Sequence, residues 1–449
     1  MTIIFLTMSR LSEIHSAGIY SDLMRRFRDE GHKVYIVSPR ERKFHVATGL
    51  TEVDGVQILG VRTLNVQKCS VIEKGLGQLL IEPLYKRAIR KYLRGVKFDL
   101  ITYSTPPITF PKVVAYLRRK NPGAMTYLQL KDIFPQNAVD LGMMVGKLRA
   151  ESLELRDERR ETRDERGGRL AALNPVRWVK YLLYRSFRRK EKRMYALSDY
   201  IGCMSPANVR YVLEHNPEVA ARHAVKPVVE ICPNSYELRA ESQEPRAESL
   251  ELRDESGERR EIREKYGLPL DRPIFIYGGN MGRPQGIPFL LECLKANASR
   301  EDCHFVVVGD GTEFPKLKAW YDEAQPQSVS LFKRIPQEDY EALADSCDVG
   351  LIFLDWRFTI PNYPSRLLPY LMTRKPILAC TDPNCDTGSL AEANGYGLWA
   401  PSNSVEAFTA AVDKLLASDL PAMGEKGYRF FLDNYTVEKT YEAIMGHLS

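Results

Sequence analysis

The chain has no apolar run approaching the roughly 20 residues a membrane-spanning helix needs, so it reads as soluble or at most peripheral. It has no C-x-x-C pair. Its eight cysteines are scattered from Cys69 to Cys385, which leaves no ligand set of zinc-site spacing and fits reduced thiols in a cytoplasmic protein. The opening residues Thr2 to Thr7 carry neither a basic n-region nor an apolar segment of signal-peptide length; they enter a strand at once. The expected location is therefore the cytoplasm, extending to the inner face of the plasma membrane. Charge of either sign is nearly balanced, with 64 Lys and Arg against 58 Asp and Glu leaving +6. That balance, without a Gly- or aromatic-interleaved basic arm, gives no reason to expect nucleic acid as a partner, while it permits an anionic substrate or membrane surface.

What is present is a repeated rhythm. A chain of 449 residues is too long for one compact core and suggests two domains. Short β-branched and aromatic runs alternate with amphipathic segments: Thr2–Met8, a helix from about Ala17 to Glu30, then His32–Ser38, and later strands at Phe98–Tyr103, Met125–Leu130, Tyr200–Ser205 and Val228–Cys232. The rhythm restarts at Ile274–Tyr277 and continues through His304–Val308, Ser328–Phe332, Val349–Phe353 and Pro376–Ala379, with a helical close over Tyr428–Leu448. The expected class is α/β, two Rossmann-like domains facing a central cleft. They are placed at 1–228 and 229–430, with residues 431–449 a helix packing back on the first domain.

Two charge-rich segments break the rhythm. Arg149–Glu158 and Arg246–Glu255 are the same ten residues, R-A-E-S-L-E-L-R-D-E. They are read as surface-loop insertions over about 149–169 and 239–264, remote from any chemistry.

The most informative stretch is Arg272–Ile287, R-P-I-F-I-Y-G-G-N-M-G-R-P-Q-G-I. An apolar strand runs into Gly278, Gly279, Asn280 and Gly282 and then into a helix, which brings bare N–H groups and a helix N-terminus to an anion; Arg283 can fork onto phosphate, with Gln285 beside it. An ordinary tight turn uses the same glycines. Gly309 and Asp310 close the next strand. In Phe358–Leu371, Asn362 lies in a Pro-rich turn, Ser365 is the expected N-cap and Arg366 supplies a fixed charge; a solvated Arg after a cap is the plain alternative. Asp132 directly follows the strand Met125–Leu130, where a carboxylate can orient or deprotonate a hydroxyl or merely form a turn. Glu13 and His15 sit in the first βα loop, and Asp382 and Asp386 follow Pro376–Ala379, where they hold hydroxyls or build the turn. Arg177–Tyr195 places Trp178, Leu182 and Phe187 among many Lys and Arg, a pattern shared by helices that lie on anionic membranes and by core-packed helices with a cationic face.

As a set, G-G-N-M-G-R-P-Q-G at Gly278–Gly286, V-V-V-G-D-G at Val306–Gly311 and T-I-P-N-Y-P-S-R at Thr359–Arg366 resemble retaining glycosyltransferases of family four, with the GT-B fold, of the bacterial surface-polysaccharide type. L-K-D-I-F-P-Q-N-A-V-D-L-G at Leu130–Gly142 and I-C-P-N at Ile231–Asn234 are similar to further stretches of those enzymes. The resemblance implies a nucleotide-sugar donor, UDP-linked, in the C-terminal half, no cofactor and no metal. It implies a glycan or polyprenyl-diphosphate-linked acceptor near Asp132, and contact with the inner membrane. On it, Arg283, Arg366 and the Gly279–Asn280 backbone neutralise the diphosphate leaving group. The chain departs where family members carry two Glu across this loop and helix: the positions fall at Pro361 and Pro369, and Gln285 stands near a usual Lys. Asp382, Asp386 and Glu392 are the candidates to substitute. The alternatives are a sugar-nucleotide epimerase of the same fold and a non-catalytic scaffold for glycan assembly.

Overall fold

A computed structural model of the protein describes residues 1–11, 14–16, 18–65, 71–106, 108–146, 175–238 and 255–448. The chain divides into two compact units, Met1–Pro233 with Tyr441–Ser449, and Asn234–Thr440.

The first unit is an eight-stranded sheet of β1 (Thr2–Leu6), β2 (Lys33–Glu41), β3 (Gly49–Val53), β4 (Val56–Thr63), β5 (Leu100–Ser104), β6 (Met125–Leu130), β7 (Tyr200–Cys203) and β8 (Val229–Ile231), in the order β3-β4-β2-β1-β5-β6-β7-β8. Every printed pairing is parallel except β3 with β4. That hairpin, absent from the expected rhythm, turns at Asp54-Gly55 with φ of 50° and 73°, the left-handed pair a two-residue turn needs. Asp-Gly between two alternating runs was its sequence signal. β1 and β5 are buried on both faces, hence their unbroken apolar runs. The first helix is shorter than expected, Ser21–Asp29.

The C-terminal residues belong to this first unit. The Tyr441 hydroxyl lies 3.0 Å from His32 Nε2, and His447 stacks on Tyr200 at 3.6 Å while its Nε2 meets the Glu230 carboxylate at 2.9 Å. The expected single closing helix is two, Leu420–Asn434 and Val437–Met445.

The second unit is a six-stranded parallel sheet of β9 (Ile274–Asn280), β10 (His304–Asp310), β11 (Val329–Lys333), β12 (Val349–Phe353), β13 (Ile377–Thr381) and β14 (Gly397–Pro401), ordered β11-β10-β9-β12-β13-β14. A core of Phe275, Tyr277, Phe305, Val307, Leu351 and Phe353, among others, fills one side of it. The repeat segments, but for Glu255 at the end of the second, lie outside the described residues, and the expected span of the second insertion runs too far. Residues Glu255–Lys265 form a helix whose Arg263 is buried, ion-paired to Asp348 at 2.7 Å and donating to Ser346 O. A buried, paired arginine marks that helix as part of the domain.

Among the described residues no helix is long and apolar enough to cross a membrane, and no cluster of His, Cys, Asp or Glu is placed to hold a metal. The seven described cysteines are buried free thiols.

Candidate functional site

In the second unit the chain leaves β9 outward through β10 and β11, then returns to β12 on the other side. The carboxyl ends of β9 and β12 therefore flank the point where the winding reverses, where loops diverge and leave a crevice. The expected donor residues gather there. β9 ends in Gly278-Gly279-Asn280, and Gly279 has φ of +128°, a conformation side-chain-bearing residues avoid. It pairs with Gly309 so closely that a Cβ on Gly309 would lie 1.9 Å from Gly279 O. Gly278 is glycine for a different reason: a Cβ there would lie 1.9 Å from the Tyr340 hydroxyl.

Gly282 then opens a short turn, Arg283–Gln285, closed by Gly286 in the left-handed region at φ 57°. Gln285 accepts from Asn280 Nδ2 at 3.3 Å, so these two amides hold each other across the turn. Arg283 is 65% exposed, with Nε 3.9 Å from Glu313, and so keeps most of its reach. Asp310 Oδ1 accepts from Gly311 N, and its carbonyl oxygen accepts from Met281 N, tying the two loops together.

Arg366 arrives from the loop after β12. Its guanidinium stacks on the Tyr277 ring at 4.5 Å and reaches within 3.5 Å of where a Gly279 Cβ would be. Nη1 is buried with no hydrogen-bond partner, and among the described residues no carboxylate pairs with Arg366. A half-buried arginine with one nitrogen shut off from water and no acid beside it carries a desolvation cost that an incoming anion would offset. Ser365 is exposed and does not cap: the helix Leu367–Met372 begins later, Arg366 holds its N-cap position, and no side-chain cap bond forms. Pro364 before it and Pro369 within that helix leave only a short turn, too short to contribute a dipole of its own.

The loop carrying Arg366 is held from β13. Asp382 is fully buried; its Oδ1 accepts from the N–H of Asn384 at 2.9 Å and of Cys385 at 3.1 Å. Asn384 Nδ2 in turn donates to Phe358 O at 2.8 Å, and Cys385 Sγ to Asn362 O at 2.9 Å. Asp382 thus builds the turn rather than facing a ligand. Asp386, partly buried, takes the N-cap position of Thr387–Ala393 without a cap bond, and Glu392 accepts from Trp399 N at 3.2 Å.

Burial pushes the Asp382 carboxyl up to about 6, against the lowering by those N–H groups. With its folded pKa above its unfolded one, Asp382 stabilises fully only below the unfolded value of 3.8, and that contribution is lost as pH rises through about 6. Asp382→Asn keeps the Oδ1 acceptor and is expected to raise stability at pH 8 by about 1 kcal/mol, after allowing for the unpartnered amide it introduces. Thermal unfolding should show that gain shrinking as pH falls below about 6, where the wild-type acid is itself neutral.

In the first unit, Asp132 follows β6 and is partly buried; desolvation pushes its carboxyl up to about 6. The backbone N–H groups of Lys131 and Asp132 are held by Thr105 Oγ1 at 2.9 and 3.3 Å, at the end of β5, while the carboxylate has no hydrogen-bond or ion partner among the described residues. Its charge helps raise the buried Tyr20 phenol to about 12, after burial itself. Glu13 lies outside the described residues. His15 is 67% exposed, and its ion-pair partner is Asp54 in the hairpin turn, at 4.0 Å. Sequence reasoning missed Tyr277, Tyr340 and Tyr370, whose rings wall the Arg366 side; Tyr370 donates to Ile276 O at 3.1 Å. Their only signal in the sequence was an aromatic residue inside a strand or a helix, which reads equally well as core.

Residues 258–430 match the family model described as glycosyl transferases group 1. That span contains the whole Gly279–Arg366 site. Alpha-D-kanosaminyltransferase of Streptomyces kanamyceticus is 41% identical over 61 residues, 13% of this chain and 16% of that protein, so the chain matches well under two thirds of this relative's length. Among solved structures, sucrose-phosphate synthase from Thermosynechococcus elongatus superposes with a TM-score of 0.68 at 15% identity, over 100% of this chain and 98% of that one. Anabaena HepE in complex with UDP gives 0.58 at 12% identity, over 100% and 99%. At such identities the likeness is one of fold, and that fold is GT-B: two parallel-sheet α/β domains.

Proposed function

We propose that the protein is a retaining glycosyltransferase that moves a sugar from a UDP-sugar to a glycan or lipid-linked acceptor in surface-polysaccharide assembly. The observation that carries the reading is Arg366: a half-buried arginine whose Nη1 is buried and unbonded, with no carboxylate paired to it among the described residues, beside the bare backbone of Gly279 at the winding reversal of the second sheet. The match to the glycosyl transferases group 1 family over 258–430 and the fold shared with a UDP-bound protein support it.

In this mechanism the glycosidic C–O bond to the diphosphate lengthens first, and negative charge grows on the leaving oxygens. Arg366 and the more exposed Arg283 neutralise it with charge-assisted bonds, so no metal is required. Asp132, ionised at pH 7, orients the acceptor hydroxyl on the face from which the diphosphate departs and takes its proton as the acceptor oxygen bonds the anomeric carbon, so the configuration is retained.

Calorimetric titration with UDP, GDP and UDP-sugars tests the donor half. Micromolar binding of one nucleotide supports the reading, and no binding to any of them removes it in favour of a scaffold. Asp132→Asn is expected to lower kcat by about 100-fold or more while leaving the donor Kd unchanged. The wild-type rate should fall on the acid side near pH 6, where Asp132 protonates, and a profile without that limb would take the base role from it.

A further inference from the structure

The helix Pro175–Leu197 has two halves of different character. Towards its C-terminal end it is embedded: Glu191, Met194 and Tyr195 are buried, and Phe187 packs edge-on against Phe134 at 5.2 Å. Its N-terminal half turns large apolar side chains outward. Val176 is 61% exposed, Trp178 45%, Val179 55%, Leu182 56% and Leu183 46%. At 100° per residue these five fall in one arc of about 160°, which adjoins the buried side at Val176, on the azimuth of Met194. Single exposed apolar residues need no explanation, but five contiguous ones on a helix do.

The charges around the arc are of one sign. Between Pro175 and Lys190 there is no Asp or Glu, and Arg177, Lys180, Arg185, Arg188, Arg189 and Lys190 are all cationic. Lys180 and Arg185 fall on the two edges of the arc, and Arg189 and Lys190 extend it by a turn. The Lys180 ammonium donates to Gly142 O at 3.3 Å, which sets the 48% exposed Met143 alongside the same half of the helix. Arg188 and Arg177 turn inward instead: Arg188 pairs with the buried Glu191, and Arg177 has its Nε buried. A tryptophan and branched aliphatics rimmed by cations match the boundary between acyl chains and anionic headgroups: the apolar arc enters the interface and the Lys and Arg stems reach back to phosphate.

We propose that the outward face of Pro175–Leu197 docks on an anionic lipid bilayer, with Trp178, Leu182 and Leu183 inserted and Arg185, Arg189 and Lys190 on the headgroups. This deepens the proposed function, on whose lipid-linked acceptor its purpose rests. It would hold the first unit, and Asp132 with it, at the surface where such an acceptor lies.

The test is co-sedimentation of the full-length protein with phosphatidylcholine vesicles with and without about a third phosphatidylglycerol. The expected result is at least about tenfold stronger partition to the anionic vesicles, weakened by salt, with a blue shift of tryptophan emission that Trp178→Phe abolishes. Leu182→Gln with Leu183→Gln should lose about tenfold of the partition without changing the thermal unfolding or UDP titration of the same samples. If that pair perturbs folding, Arg185→Gln with Arg189→Gln and Lys190→Gln should remove the salt-dependent part alone. Equal binding to neutral vesicles, partition untouched by either set, or a change of solution mass from dimer to monomer without vesicle binding would overturn the proposal, the last in favour of a second copy of the chain. Vesicle binding by a protein that binds no nucleotide would retain this face and remove the donor reading instead.

Discussion

Arg366→Ala is expected to weaken UDP binding by 100-fold or more and kcat/KM by about 1,000-fold, with little change in the stability of the ligand-free protein. Two charge-assisted bonds to a diphosphate, at roughly 1.5–3 kcal/mol each, set the first figure, and the growth of charge on the leaving group sets the second. The near-neutral stability follows from two opposing terms. Removing the side chain forfeits its stacking on Tyr277, about 1 kcal/mol, and relieves the desolvation of a guanidinium whose Nη1 has no partner. A group that does little for the empty fold and much for the ligand is what separates a binding arginine from a structural one. Arg263 provides the contrast in the same domain. It is the more deeply buried of the two, and it is paired with Asp348 and bonded to Ser346 O, so its removal should destabilise by several kcal/mol and leave nucleotide affinity of the folded fraction intact. Arg366→Lys should not restore turnover, because a point charge on a shorter reach loses both the fork and the stacking plane. Calorimetry for affinity and thermal unfolding for stability decide the matter. A large loss of stability with unchanged UDP affinity would make Arg366 structural and leave the donor site without its central cation.

Gly309→Ala is expected to cost about 3 kcal/mol or more and to lower the unfolding temperature of the second unit by about 10 °C. The added methyl would lie 1.9 Å from Gly279 O, a backbone atom in the paired strand, so relief requires β9 and β10 to part at their ends. The same movement would carry Gly279 away from Arg366, so nucleotide affinity should fall with stability. Gly282→Ala is the matched control. Gly282 sits at an ordinary φ of −98°, and its nearest contacts are the side-chain ends of Asn280 at 3.2 Å and Gln285 at 3.3 Å, which can shift at the expense of the exposed bond between them, so the expected cost is about 1 kcal/mol. Chemical denaturation of both variants measures the difference. Equal, small costs would mean that the strand ends are looser than their pairing implies.

The central strands of the second unit were legible because they are buried on both faces and so read as unbroken apolar runs ending in glycine or a turn; β10, β12 and β13 appear within two residues of their expected places, and β9 runs three residues further, to Asn280. The Gly278–Gly286 turn was legible for a similar local reason, since backbone geometry there depends on neighbours in sequence. The hairpin β3–β4 was missed although Asp54-Gly55 announced it, because a search for a βαβ rhythm passes over an antiparallel edge. Ser365 was misplaced as a cap because cap preference is a local statistic, and the flanking prolines shifted the helix start past it.

By itself, then, the sequence determined the alternation of strands and helices, the glycine turn and the class of ligand its motifs suit, all of which follow from interactions between residues close in the chain. Only the tertiary structure decided which glycines are forced by packing, that Asp382 is turned inward to hold a loop, that Arg366 stands beside Gly279 with no acid to answer it, and that the apolar arc of Pro175–Leu197 faces outward. Those depend on which surfaces meet across distant segments, and a helical period fixes the direction of a face without fixing what covers it.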